Sequence, residues 1–263
     1  MGRLFHRYKI LLPLFLFLPL PTMAEERALT PLTYHAAYRV AWGGVTLGRI
    51  HIEAAEGEGK YHMAILTKTS GLAALVTKDR SLNLVEGVVD AAGHYLPASY
   101  ESKPIDDEKR VRTRITYDAA GHIASRSREP EDDPAWRPPV PVADANMAID
   151  PITAAFVLRR ALFAAIAKGE HQISTRTYDG ARLATMTLTR QPAVSAEIAG
   201  KKQALVDVTI ARAPIAGYTP KELKKFQAGD PVIHLYLTDD ARFLPVKASA
   251  DTGLGSLSMT MED

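Results

Sequence analysis

Asp150–Gly169, DPITAAFVLRRALFAAIAKG, is the one long helical pattern in a sequence otherwise written in strands. Asp150 suits an N-cap, and Pro151 suits the first helical position, where a missing N–H costs nothing. Lys168 meets the negative end of the helix dipole, and Gly169 supplies a left-handed stop. At about 100° per residue, Ile152, Phe156, Leu162, Phe163 and Ile166 share one broad face, while Val157 and Leu158 carry apolar surface round much of the rest. A helix this apolar needs cover on several sides, which one flat sheet face cannot give and a curved sheet can. Arg159 interrupts the pattern, because on the wheel it falls among Ile152, Phe156, Phe163 and Ile166.

On either side of the helix the sequence alternates as strands do. Tyr34–Trp42 and Val45–Ala54 flank Gly43-Gly44, a hairpin signal, since primed turns require positive φ. Asp90-Ala91-Ala92-Gly93-His94 and Asp118-Ala119-Ala120-Gly121-His122 are near-identical turns. In each, an Asp can bond its own following backbone and a Gly can take positive φ. Asp179-Gly180 and Thr238–Arg242 are further turn signals, and Pro97 and Pro245 open strands where no ladder donor is lost. Ser70–Lys78 fits a helical turn or a short strand equally well. Thr219-Pro220-Lys221-Glu222 is a capping box with Pro at the first helical position, so a second, short helix is expected up to Gly229. Lys221, Lys224 and Lys225 would give it a basic face.

The long irregular stretch is Glu129–Met147, EPEDDPAWRPPVPVADANM, with five prolines and four acids close together. Two readings stand: an extended linker from the sheet edge to the helix, or a flap whose Trp136 closes over a cavity mouth. Its acids lack the ordered spacing of a calcium loop.

At the start, Arg3, Arg7 and Lys9 precede ILLPLFLFLPLP, which runs to Thr22-Met23-Ala24. That is the pattern of a secretory signal peptide over residues 1–24, with a single domain expected over 25–263. The chain has no cysteine, so it can carry neither disulfides nor an acylated lipoprotein residue. Losing the leader removes Arg3, Arg7 and Lys9 from the 32 basic residues and leaves them one short of the 30 acids. The basic pI of about 8.7 therefore belongs to the precursor, and nothing points to nucleic acid, which needs a clustered positive footprint.

Motifs that carry chemistry are missing. There is no G-x-S-x-G elbow, no S-x-x-K, no H-E-x-x-H, no P-loop and no cysteine nucleophile, and the histidines are scattered. No catalytic residue, metal ligand or cofactor is assigned.

Taken in order, several landmarks resemble one family. They are Tyr38 with Gly44 and Gly48, Leu96-Pro97 with Tyr100, Asp150-Pro151 and Arg159, Asp179-Gly180, Leu237-Thr238 with Asp240, and Pro245-Val246-Lys247. The chain from about Tyr34 onward is similar to the exported bacterial proteins catalogued as domain of unknown function 3108. The resemblance implies a periplasmic, mainly antiparallel β domain, similar in shape to the half-barrels that carry lipoproteins between bacterial membranes. It brings no activity and no catalytic residues.

The expected fold is mainly β, a curved antiparallel sheet or incomplete β-barrel wrapping one long helix, α+β by strict count. The expected function is that of a non-enzymatic periplasmic binding or carrier protein for an amphiphile or an envelope lipid or glycan component. Arg159 would meet an anionic head, with Phe156, Phe163, Ile166 and Trp136 around the tail. The alternative is an envelope assembly or scaffold protein acting through protein contacts, and a hydrolytic enzyme comes third.

Overall fold

The structure, a computed structural model, describes residues 28–262 apart from 71–79, 106–109, 199, 230 and 254. The leader reading and most of the Ser70–Lys78 reading lie outside the described residues. Seven strands precede the helix: β1 (Thr33–Trp42), β2 (Val45–Gly57), β3 (Lys60–Thr69), β4 (Arg80–Val89), β5 (Tyr95–Pro104), β6 (Arg112–Tyr117) and β7 (Ile123–Glu129). After a helical turn, α1 (Val142–Ala145), and the long α2 (Pro151–Ala167) come β8 (Gln172–Tyr178), β9 (Leu183–Arg190), β10 (Val194–Ile198) and β11 (Lys201–Ala216). The chain ends with α3 (Pro220–Gln227), β12 (Ile233–Thr238), β13 (Pro245–Asp251) and β14 (Ser256–Met261).

Among the described residues these strands form one sheet in the order β7-β6-β5-β4-β3-β2-β1-β14-β13-β12-β11-β9-β8, with β10 on β11. Every ladder is antiparallel, and the pairing of β14 with β1 joins the two halves of the chain into a continuous surface. The sheet curls without closing into a barrel, as expected from the apolar girth of the helix. The main strand order ends at β7 and β8, and the segment leading into α2 touches both. Asn146 Oδ1 accepts from the Ile123 N–H at the start of β7 (3.0 Å), and Ile149 makes a parallel bridge to Thr177 on β8.

Period-two burial shows which face is inside. In β1, Tyr34, Ala36 and Tyr38 are buried while Thr33, His35 and Arg39 are exposed. The Tyr34 and Tyr38 hydroxyls both donate to the Pro245 carbonyl, at 3.1 and 2.6 Å, so neither leaves its polar end unsatisfied in the core. Both Asp-Ala-Ala-Gly-His turns have the expected chemistry. Asp90 and Asp118 each accept the backbone N–H of the histidine four residues on, and Gly93 and Gly121 sit at φ +85° and +81°. The two histidines lie against the Asp of their own turn, His94 at 2.9 Å and His122 at 3.6 Å, and do not converge on a shared ligand.

The long helix spans Pro151–Ala167 as read. Asp150 Oδ1 accepts from Ile152 N–H (2.9 Å) and Thr153 N–H (2.8 Å), a cap contributing about 1 kcal/mol, and Gly169 (φ +73°) turns the chain out of the helix. Its apolar side chains divide between two clusters instead of sharing one face. Ile152 and Phe156 pack with Tyr38, Tyr61, Val85 and Tyr95. Ala154, Leu158 and Leu162 pack with Leu188, Val208, Leu237 and Phe243, joined by the partly buried Phe163 and Ile166.

The proline-rich stretch is irregular, as read, but it is laced down along its length. Asp132 pairs with Arg128 and with Arg137, the latter at 3.2 Å. Arg137 in turn donates to the Gly217 carbonyl (2.6 Å) and to both oxygens of Glu222 on α3 (3.0 and 3.1 Å). Those ion pairs, together with α1, make it a strap across the seam and not a free flap.

Candidate functional site

Beside α2, the interior of the sheet is not filled. A cavity of about 780 Å³ lies between the helix and the concave face. Leu158 and Leu162 of α2 form one wall, Met186 and Leu188 of β9 with Ile210 of β11 another, and Ile52 and Ile65 face them from β2 and β3. The wall follows from sequence alternation. In LATMTLTR of β9, Leu183, Ala184 and Leu188 are buried, and Ala184, Met186 and Leu188 at spacing two line the space.

The two ends of the cavity differ. Arg159 stands at the end near the β12–β13 turn. Its Nε donates to the Arg242 carbonyl (3.1 Å), one Nη donates to the Thr30 carbonyl (2.9 Å) and also to Arg242, and the other Nη is 3.9 Å from Glu56. Burial pulls this guanidinium down from its ordinary value and Glu56 opposes that, so it stays charged. Glu56 itself is well occupied. It accepts from Leu32 N–H (3.2 Å), Tyr95 hydroxyl (2.8 Å) and Arg160 (2.7 Å), while the Arg160 guanidinium lies 4.6 Å above the Tyr95 ring. Burial, followed by the bond to Glu56, pushes the Tyr95 hydroxyl up, so that it stays a donor.

The opposite end is open. Pro231, Val232 and Ile233 line it, and Val232 is 58% exposed. Asp179, Arg182, Arg212 and Tyr218 stand on the same rim. Asp179 accepts from the Ala181 and Arg182 N–H groups (3.0 and 2.8 Å) and from Arg182 Nε (2.8 Å). Tyr218 meets Phe226 of α3 edge-on at 5.3 Å, and Arg212 lies 4.8 Å over the same ring, which fixes α3 at the cavity mouth. The expected capping box is present: Thr219 accepts from Glu222 N–H (3.2 Å), and Glu222 accepts from Thr219 N–H (2.8 Å). Burial works against the Glu222 carboxylate, but hydrogen bonds from Arg137 and Thr219 hold it down at about 2.

Of the residues expected around a ligand, Arg159 and Phe156 line the cavity. Phe163, Ile166 and Trp136 are not among its lining residues. Phe163 packs edge-on against Phe243 (5.6 Å), Ile166 packs in the same cluster away from the cavity lining, and Trp136 is 59% exposed on the strap. Helical spacing placed the first two beside Arg159, but the wheel cannot say which arc meets empty space. The strand residues of β9, β11 and β12 that contribute to the wall were missed. Their alternation was visible, yet it reads the same for a filled core. Among the described residues no three His, Asp or Glu side chains gather as a metal-ligand set, and no helix is long and apolar enough to cross a membrane.

Fold and site together define an open, barrel-like antiparallel sheet with an internal helix and an apolar cavity. The chain belongs to the family of proteins of unknown function DUF3108, whose model matches residues 37–262. Its fold is similar to that of the crystal structure of a beta-barrel-like protein of domain of unknown function DUF1849 from Brucella abortus. That match has a TM-score of 0.54 and 16% identity, and covers 90% of this chain and 98% of the other. No curated protein matches the chain.

Proposed function

We propose that this protein is a non-enzymatic periplasmic binding or carrier protein whose cargo is an amphiphile with an acyl chain. One observation carries the reading: a cavity of about 780 Å³, walled by Leu, Ile and Met, in a sheet otherwise packed as a core. Ligand pockets fall in the range of roughly 300–1,000 Å³ and are mostly apolar with a few polar groups at one side. Here polar groups stand at both ends, Arg159 at one and Asp179, Arg182 and Arg212 at the mouth. Arg159 has its donors committed to the Thr30 and Arg242 carbonyls, so its role is to tie α2 to the chain around it. On the open rim a head group would meet Arg182, which is paired with Asp179 and Glu222, and Arg212, which lies over the Phe226 ring. The periplasmic setting rests on the leader-like start of the sequence.

The test uses protein released from the periplasm, with Glu25 first by mass analysis, delipidated and titrated with a fluorescent fatty acid. Met186→Trp with Ile210→Trp should fill the space, change stability by no more than about 1 kcal/mol and abolish probe binding. Undiminished binding in that double variant would remove the basis of the reading.

A further inference from the structure

The open end of the cavity has an uncommon surface. Strand register sets one row of residues across five strands there: Ile233 faces Ala250, Ala250 faces Leu257, Leu257 faces Trp42, and Trp42 faces Val45. Of these only Ala250 is buried, while Trp42 and Val45 are 43% and 47% exposed. Ile233, with Val232 beside it, also lines the cavity, so the row runs from the mouth along the end of the sheet. Helix α3 stands at the same mouth, joined to β12 by residues 228–232. Glu222 and Phe226, four residues apart, turn inward to Arg137 and Tyr218. Lys221, Lys224 and Lys225 are exposed, with Leu223 between them. Large exposed apolar side chains gathered at one end of a molecule mark a docking surface, and neighbouring lysines give it a preferred partner charge.

We infer that this end docks on a bilayer containing anionic lipid. The apolar rim enters the head-group layer, the three lysines of α3 meet lipid phosphates, and the cavity opens towards the acyl chains. The inference rests on the amphiphile reading above, since cargo that is insoluble in water is collected and released at a membrane. A juxtamembrane lysine contributes about 1 kcal/mol of attraction to an anionic surface, so neutralising three should weaken binding on the order of 100-fold.

Sedimentation of the purified, delipidated protein with vesicles of phosphatidylcholine, alone or mixed with phosphatidylglycerol, tests this. Pelleting should require phosphatidylglycerol and fall as salt rises. Lys221→Gln, Lys224→Gln and Lys225→Gln together should reduce it about 100-fold with melting unchanged. Val232→Asp, placed on the apolar rim, should reduce it independently. Equal pelleting with both vesicle types, or a triple-lysine variant that pellets as wild type does, would overturn the docking inference. Fatty-acid binding measured on the same preparations without vesicles separates the two ideas. Probe binding without vesicle binding sinks the docking surface alone, and vesicle binding without probe binding sinks the cavity reading.

Discussion

The two flanks of α2 are both apolar and do opposite things. On one, Phe156 lies 4.9 Å from the Tyr61 ring and 5.5 Å from Tyr95, the two tyrosines meet edge-on at 5.2 Å, and the Tyr61 hydroxyl bonds Thr153 Oγ1 at 2.9 Å. Rings at those distances are in contact with one another, and of the three only Phe156 also borders the cavity. On the other flank, Leu158 and Leu162 face aliphatic side chains from β9, β11 and β12 across the cavity. Aromatic rings with polar handles interlock in one arrangement, whereas a wall of unhooked Leu, Ile and Met adapts to what lies against it. One flank is thus closed by interlocked rings and the other borders the cavity.

The largest expected effect is on the packed flank. Phe156→Ala should cost about 3–5 kcal/mol, read by urea or thermal unfolding, because rings on two sides would border the void. A loss below about 1 kcal/mol would show that this flank is not the filled one. Next comes Arg159→Met, which strands the Thr30 and Arg242 carbonyls and removes a charged neighbour of Glu56. It should cost roughly 2–3 kcal/mol, given what hydrogen bonds to charged groups contribute. Fatty-acid binding should persist in that variant. Intact stability with lost binding would restore Arg159 as the anchor of an anionic head.

The smallest expected effect concerns the cap between the two flanks. Asp150 is fully buried, its Oδ1 serves the helix and its Oδ2 has no partner. Burial pushes this carboxyl up to about 6, above the ordinary 3.8, in spite of the cap bonds. The native state therefore holds the proton more tightly than the unfolded chain. Stability from this group is full below about pH 4, is lost as pH rises through 6, and stays lost at neutral pH. Moving from pH 7 to pH 5 should add roughly 1 kcal/mol through this group. Asp150→Asn keeps the cap acceptor and should flatten that slope. A variant with the wild-type slope would place the titration elsewhere.

Much of the fold was legible. The helix bounds, the Gly43-Gly44 hairpin, the repeated Asp-Ala-Ala-Gly-His turns and the Thr219 capping box are local events, set by residues within a few positions of one another. Even the curvature followed from one helix too apolar for a flat sheet to cover. The candidate site was legible only in part. Of the residues expected around a ligand, Arg159 and Phe156 border the cavity, whereas Phe163, Ile166 and Trp136 do not.

The sequence by itself determined the strands, the caps, the turns and the need for a sheet that wraps, because each depends on periodicity or on bonds between near neighbours. Tertiary structure alone decided that β14 joins β1, that the strap from Glu129 is bound to α3 through Arg137 and Glu222, and which flank of α2 meets empty space. An alternating strand presents the same apolar face to a filled core and to a cavity. The volume between that face and its opposite wall is fixed by side chains that lie far apart in the chain.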